Sequence, residues 1–198
     1  MSFTKELLSL LNQFKKEIVN YDSIREFAIK KSRIILKDSK KAIFLLNDSQ
    51  FKKAKELIIS SFELIKKTYA RYPHSTLANI GALSEAVQEF TEAYILYNIL
   101  SDVFKRDDYI KLELETLINH EDYIKGLCDV PGELVRVSVK LSIKDKNREL
   151  FEIEEVVKKI YYQLLHFTNY SGSLRNKIDS VKWNLSKIQE IIFKYKMR

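Results

Sequence analysis

Apolar positions recur at helical spacing almost from one end of the chain to the other. Leu7, Phe14, Tyr21, Ala28, Ile35 and Ala42 form one line at seven-residue intervals. Such spacing held over six positions predicts a single long helix with a seam that packs on something. Asp48 is a good N-cap for a second helix running to about Tyr72, where Pro73 ends it. Ser75 or Thr76 can cap a third, reaching about Leu100. Residues 102–108 are polar and read as a loop, and a short helix is expected over 109–118. Asn119 with Asp122 three residues later resembles a capping box, opening a helix from His120 to about Ser142. Pro131 and Gly132 lie inside that run and predict a kink or a restart, since an interior proline costs ~3 kcal/mol. A further helix covers about 149–166. Ser171 or Ser173 caps the last one.

The last helix carries the strictest pattern. Leu174, Ile178, Val181, Leu185, Ile188, Ile192 and Tyr195 alternate spacings of four and three. That seam of period 3.5 suits either the chain's own core or a subunit interface.

Composition supports the helical reading. Four glycines and two prolines in 198 residues are too few for a turn-rich sheet protein, so an all-α single domain over 1–198 is expected. The length suffices for one real core. No apolar run reaches ~18 residues, so no membrane span is expected. The N-terminal stretch carries Lys5 and Glu6 and lacks a small-residue cleavage site, unlike a signal peptide. Cys128 is the single cysteine, which excludes an intrachain disulfide and agrees with a reducing, cytoplasmic setting.

The net charge of +7 is a modest bias toward a polyanion, but its distribution is uneven. Residues 30–41 and 51–72 each carry six basic side chains, against one and two acidic ones. Residues 85–133 reverse this, with twelve acidic and four basic. Residues 136–198 are basic again. Arg33, Lys37, Lys40 and Lys41 lie three or four apart on one stripe of the first helix, where they could contact phosphates or form an ordinary solvated face. Arg136 could touch phosphate or the acids beside it.

Within the acidic middle, Glu89 and Glu92 are three apart and share a helix face, with Glu85 extending the row. Asp129 and Glu133 are four apart and share another face if the backbone stays helical across Pro131. Two helices that each offer a carboxylate pair can enclose one or two hard cations such as Mg2+ or Mn2+, and two such ions can activate water for phosphodiester cleavage. Spacing alone does not distinguish this from two solvated acid pairs. The apolar neighbours Phe90, Ala93, Tyr94, Leu127, Cys128 and Leu134 do favour acids near apolar surface, where like charges call for a cation. Other chemistries have less support. No histidine follows a glutamate at three residues, there is no glycine-rich phosphate loop, and no zinc spacing occurs. Cys128 lacks a histidine partner and reads as packing.

Gln88-Glu89-Phe90-Thr91-Glu92-Ala93, then Asp122-Tyr123-Ile124, Gly126 and the run Asp129-Val130-Pro131-Gly132-Glu133-Leu134-Val135-Arg136, resemble the translin family, and within it the factor X branch. Ser32 to Leu46 resembles that family's first helix, and Leu174 to Glu190 its last. The resemblance implies seven helices per subunit and a hollow octameric barrel that binds single-stranded RNA and DNA. For the factor X branch it implies a magnesium-dependent endoribonuclease site facing the interior. The catalytic and metal-binding acids would be Glu89, Glu92 and Asp129, with Glu133 beside them. Arg33, Lys37, Lys40, Lys41 and Arg136 would hold nucleic acid. The expectation is therefore a homo-oligomeric endoribonuclease. Its rivals are a non-catalytic binding protein of the translin type and a helical scaffold for protein partners.

Overall fold

A computed structural model of the chain describes residues 3–167 and 172–197. Among them are seven helices and no strand: α1 (Phe3–Asn47), α2 (Phe51–Arg71), α3 (His74–Leu77), α4 (Gly81–Val103), α5 (His120–Ile143), α6 (Asn147–Leu164) and α7 (Ser173–Lys196). α4 is the central element. It packs on α1 and α2 on one side and on α5 on the other, while α7 covers α5 and α6. Phe90, Leu96, Tyr97 and Leu100 of α4 are fully buried, so this helix is apolar nearly all round.

The long first helix forms as its seam predicts. Ala28, Ser32, Ile35, Ser39, Ala42 and Leu46 are buried along one line. The same line continues through Tyr21, Ile18, Phe14, Leu11 and Leu7, yet every residue from 3 to 20 is exposed. The N-terminal half of α1 thus projects beyond the body with its apolar seam uncovered.

Several helix ends differ from the sequence expectation. Asp48 does not cap α2. Ser49 takes a left-handed conformation (φ 60°), and Gln50 N–H and Ser49 N–H bond back to Leu45 and Leu46 carbonyls at 2.8 and 2.9 Å. This closure satisfies the end of α1 and leaves Gln50 as an N-cap with no side-chain bond. The Asp48 carboxylate instead accepts from Lys140 at 3.2 Å. The expected third helix is two, because α3 ends at Leu77 and α4 begins only at Gly81. The last helix has Gly172 as its N-cap, without a side-chain cap from Ser173; Ser171 lies outside the described residues.

Residues 109–118 are not helical. Ile110, Leu114 and Ile118 are buried at four-residue spacing, which imitates a helix face. The segment is held instead by a side-chain clamp: Ile110 N–H donates to Asn98 Oδ1 at 2.9 Å, and Asn98 Nδ2 donates to the Ile110 carbonyl at 3.2 Å. Tyr97 O–H and Lys55 both donate to Asp108 at its start.

The Asn119 cap is present. Its side chain accepts from Asp122 N–H at 2.8 Å and donates to Asp122 Oδ2 at 2.6 Å. α5 then runs without a restart through Pro131. Pro131 and its neighbours Val130 and Leu134 are buried, so packing offsets the hydrogen bond that proline cannot donate. Most of the α7 seam packs in the chain's own core: Leu174, Ile178, Val181, Ile188 and Ile192 are buried, while Leu185 and Tyr195 are half-buried.

Candidate functional site

The crossing of α4 and α5 is unusually close at one point. A β-carbon on Gly126 would stand 2.5 Å from the Gln88 carbonyl oxygen and 2.8 Å from Thr91 Cβ. Only glycine allows that approach. One turn along α5 from Gly126 is Asp129, and one further turn is Glu133; Gln88 and Thr91 alternate with Glu89 and Glu92. The contact therefore brings the two acidic pairs into one region.

Their electrostatics record this. Glu92 is buried, and burial pushes its carboxyl up to about 8, with Asp129, Glu89 and Glu133 adding to the rise and Lys177 opposing it. Glu89 is also raised, first by burial, with Lys40 opposing and Asp129, Glu133 and Glu85 adding to it. Among the described residues, no side chain donates a hydrogen bond to Glu92. The others are engaged. Glu133 accepts from Asn47 Nδ2 at 2.8 Å and pairs with Arg136 at 3.0 Å. Glu89 lies 4.0 Å from Lys40, and Asp129 accepts from Lys177. As these side chains stand, no three Asp, Glu, His or Cys among the described residues are grouped so as to hold a metal ion.

Glu89, Glu92 and Glu133 line a cleft of about 600 Å3 whose other walls include Lys40, Phe44, Asn47, Arg136 and Lys140. Arg33, Lys37, Lys40 and Lys41 are all exposed on α1. Of these, Lys40 reaches the cleft. Arg136, 70% exposed, is bound to Glu133 and can still face solvent. Asn47 and Lys140 of the cleft, and Lys177 against Asp129, were not evident in the sequence. Asn47 and Lys177 come from distant helices and have no spacing signal. Lys140 does have one, since Glu133, Arg136 and Lys140 are three and four apart on one face. Cys128 is buried, its thiol pushed up to about 12 by burial, in keeping with a packing role.

Comparison with known proteins reaches most of this architecture. The Translin family model matches residues 23–198. The chain belongs to the translin family. The fold also recurs in solved structures: the chain aligns with the crystal structure of AfC3PO at a TM-score of 0.80 and 24% identity, covering 94% of this chain and 97% of that one. The same scores hold for AfC3PO in complex with duplex RNA, with 96% of that chain covered. Apo-NeC3PO aligns at a TM-score of 0.76 and 21% identity over 93% of this chain and 96% of that one. At such identities the likeness concerns the fold. Among curated proteins, the uncharacterized protein MJ0175 of Methanocaldococcus jannaschii is 33% identical over 186 residues, covering 89% of this chain and 78% of that protein.

Proposed function

We propose that this translin-family chain is a catalytic subunit of the factor X type: an RNA-binding endoribonuclease that depends on Mg2+ or Mn2+ and works as a homo-oligomer. The observation that carries the reading is that the carboxylate pairs of α4 and α5 feel one another's charge, with Glu92 buried and given no donor by the protein. A buried acid in the field of three others calls for a positive charge or a proton.

The donor chemistry fits a hard cation, for which oxygen ligands are required. Glu89, Glu92, Asp129 and Glu133 would hold it. When bound, such an ion supplies charge neutralisation and a more acidic water to phosphodiester hydrolysis. The chain's own residues do the rest. Lys40, Arg136 and Lys140 surround the acids with cations that can grip phosphates on either side of a scissile bond. Arg33, Lys37 and Lys41 extend that track along α1 and would hold flanking phosphates. The apolar wall of Phe44, 65% exposed, offers a face on which a base can stack.

Support for RNA as the polyanion comes from the AfC3PO complex with duplex RNA. Single-stranded RNA is the substrate form in this reading, with single-stranded DNA as a competing ligand. Homo-oligomerisation, as an octamer in this reading, gives the uncovered seam of α1 a place to be buried. No helix among the described residues is long and apolar enough to cross a membrane. The reading places the protein in the cytoplasm.

One observation favours a second reading, a binding protein without catalysis. Asp129 and Glu133 already have protein partners, as acids with a purely structural role would. Incubating the protein with labelled single-stranded RNA in Mg2+, Mn2+ or EDTA separates the two. Cleavage in either metal and none in EDTA supports the nuclease; retention of intact RNA under all three supports binding alone.

A further inference from the structure

Asp129 has a partner that its own helix does not supply. The Lys177 ammonium, carried on α7, donates to Asp129 Oδ2 and also lies 3.4 Å from the Lys125 carbonyl oxygen. Its charge acts on Glu92 as well, across the α4–α5 crossing. Lys177 and Asp129 side chains are 29% and 37% exposed, so the pair is half-shielded from water yet has a route to it. The other cations near the acids differ in kind. Arg136 bonds within its own helix, and Lys40 stays 4.0 Å from Glu89.

We propose that Lys177 is the acidic cluster's counter-ion in the metal-free protein, and that it must leave Asp129 for a divalent cation to enter. The proposal rests on the reading above, that the cluster takes Mg2+ or Mn2+. An ammonium has three donors and no acceptor, so it can satisfy carboxylates but cannot join them around a metal. A metal ion at Asp129 and an ammonium on the same carboxylate repel each other at short range. The four-carbon stem of lysine lets the charge swing into solvent, which a planar guanidinium bonded through two nitrogens would not do as readily. Lys177 is thereby a positioning residue. It keeps Asp129 in place without metal and sets a threshold for metal entry.

Calorimetric titration with Mn2+ tests this on the wild type, Lys177→Met, Lys177→Arg and Lys40→Met. Lys177→Met should bind Mn2+ roughly tenfold more tightly than wild type, the size of one charged hydrogen bond that no longer has to be broken. Lys177→Arg, which releases a carboxylate less readily, should bind Mn2+ more weakly than wild type. Lys40→Met removes a charge that stands 4.0 Å from Glu89, beyond hydrogen-bond length, and should change Kd much less than Lys177→Met. A structure of the wild type with Mn2+ should show the Lys177 Nζ beyond hydrogen-bond reach of Asp129. Equal affinity in wild type and Lys177→Met, equal tightening in Lys40→Met, or a retained Lys177–Asp129 contact with metal bound would each overturn the proposal while leaving the metal site standing. Absence of Mn2+ binding in all four proteins would overturn the metal site itself, and this proposal with it.

Discussion

Gly126 of α5 stands against Gln88 of α4 so closely that a β-carbon there would come within 2.5 Å of the Gln88 carbonyl oxygen. Backbone cannot retreat as a flexible side chain would. Gly126→Ala should therefore lever the two helices apart and destabilise the protein by about 1–3 kcal/mol, the usual cost of overpacking. Because the same crossing aligns the acidic pairs, the variant should also bind Mn2+ more weakly than wild type. Urea unfolding and Mn2+ titration measure the two effects; wild-type stability would show that the crossing is looser than described.

Glu92 gives the metal-free protein a pH signature. Its carboxyl is raised to about 8 by burial and by the neighbouring acids. The folded state therefore holds a proton that the unfolded chain releases near pH 4.5. Stability from this group is complete below that pH and is lost as pH rises toward about 8, at up to ~1.4 kcal/mol per pH unit. In EDTA, Glu92→Gln should flatten the fall of Tm between pH 5 and 8 and be the more stable protein at pH 8. Parallel Tm curves for the two proteins would contradict the burial of that charge.

Three helix ends carry left-handed residues other than glycine: Ser49 after α1, Lys105 after α4 and Asp145 after α5. An L-residue pays about 1 kcal/mol for that conformation, less for Asp, and glycine pays none. Ser49→Gly should raise stability by about 0.5–1 kcal/mol, part of the gain being offset by the freer unfolded chain. The urea midpoint should rise with no change in slope.

The uncovered seam of α1 predicts an assembly. Leu7, Leu11, Phe14 and Ile18 continue a line that is buried from Ala28 onward, and all four are exposed in the single chain. Leu11→Asp with Phe14→Asp should reduce the mass seen by light scattering to that of a smaller species while leaving the helical circular dichroism of the body intact. An unchanged mass would remove the arm from the interface.

Much of this fold is legible in the residue pattern because its longest helices bury one stripe each. The 3.5-period seam of α7 and the Asn119–Asp122 cap of α5 are local signals, and local signals survive without knowledge of the fold. Where the pattern misleads, a distant group decides. Ile110, Leu114 and Ile118 repeat like a helix, but the Asn98 side chain takes the backbone bonds of Ile110. Asp48 resembles a cap, but the closure at Ser49 and the pull of Lys140 remove it. The candidate site divides in the same way. The paired acids are visible as spacings of three and four. Asn47 meets Glu133 across 86 residues of sequence and Lys177 meets Asp129 across 48, and no spacing reveals either.

The central claim is that the facing carboxylates of α4 and α5 cleave RNA with a divalent cation. The direct measurement is single-turnover cleavage of a labelled single-stranded RNA by wild type, Glu89→Gln and Asp129→Asn, with RNA affinity measured in parallel. The account predicts cleavage by wild type in Mg2+ or Mn2+, none in EDTA, and a loss of at least about 100-fold in rate for each variant at near-unchanged RNA affinity. Cleavage that persists in EDTA, or variants as fast as wild type, would contradict it.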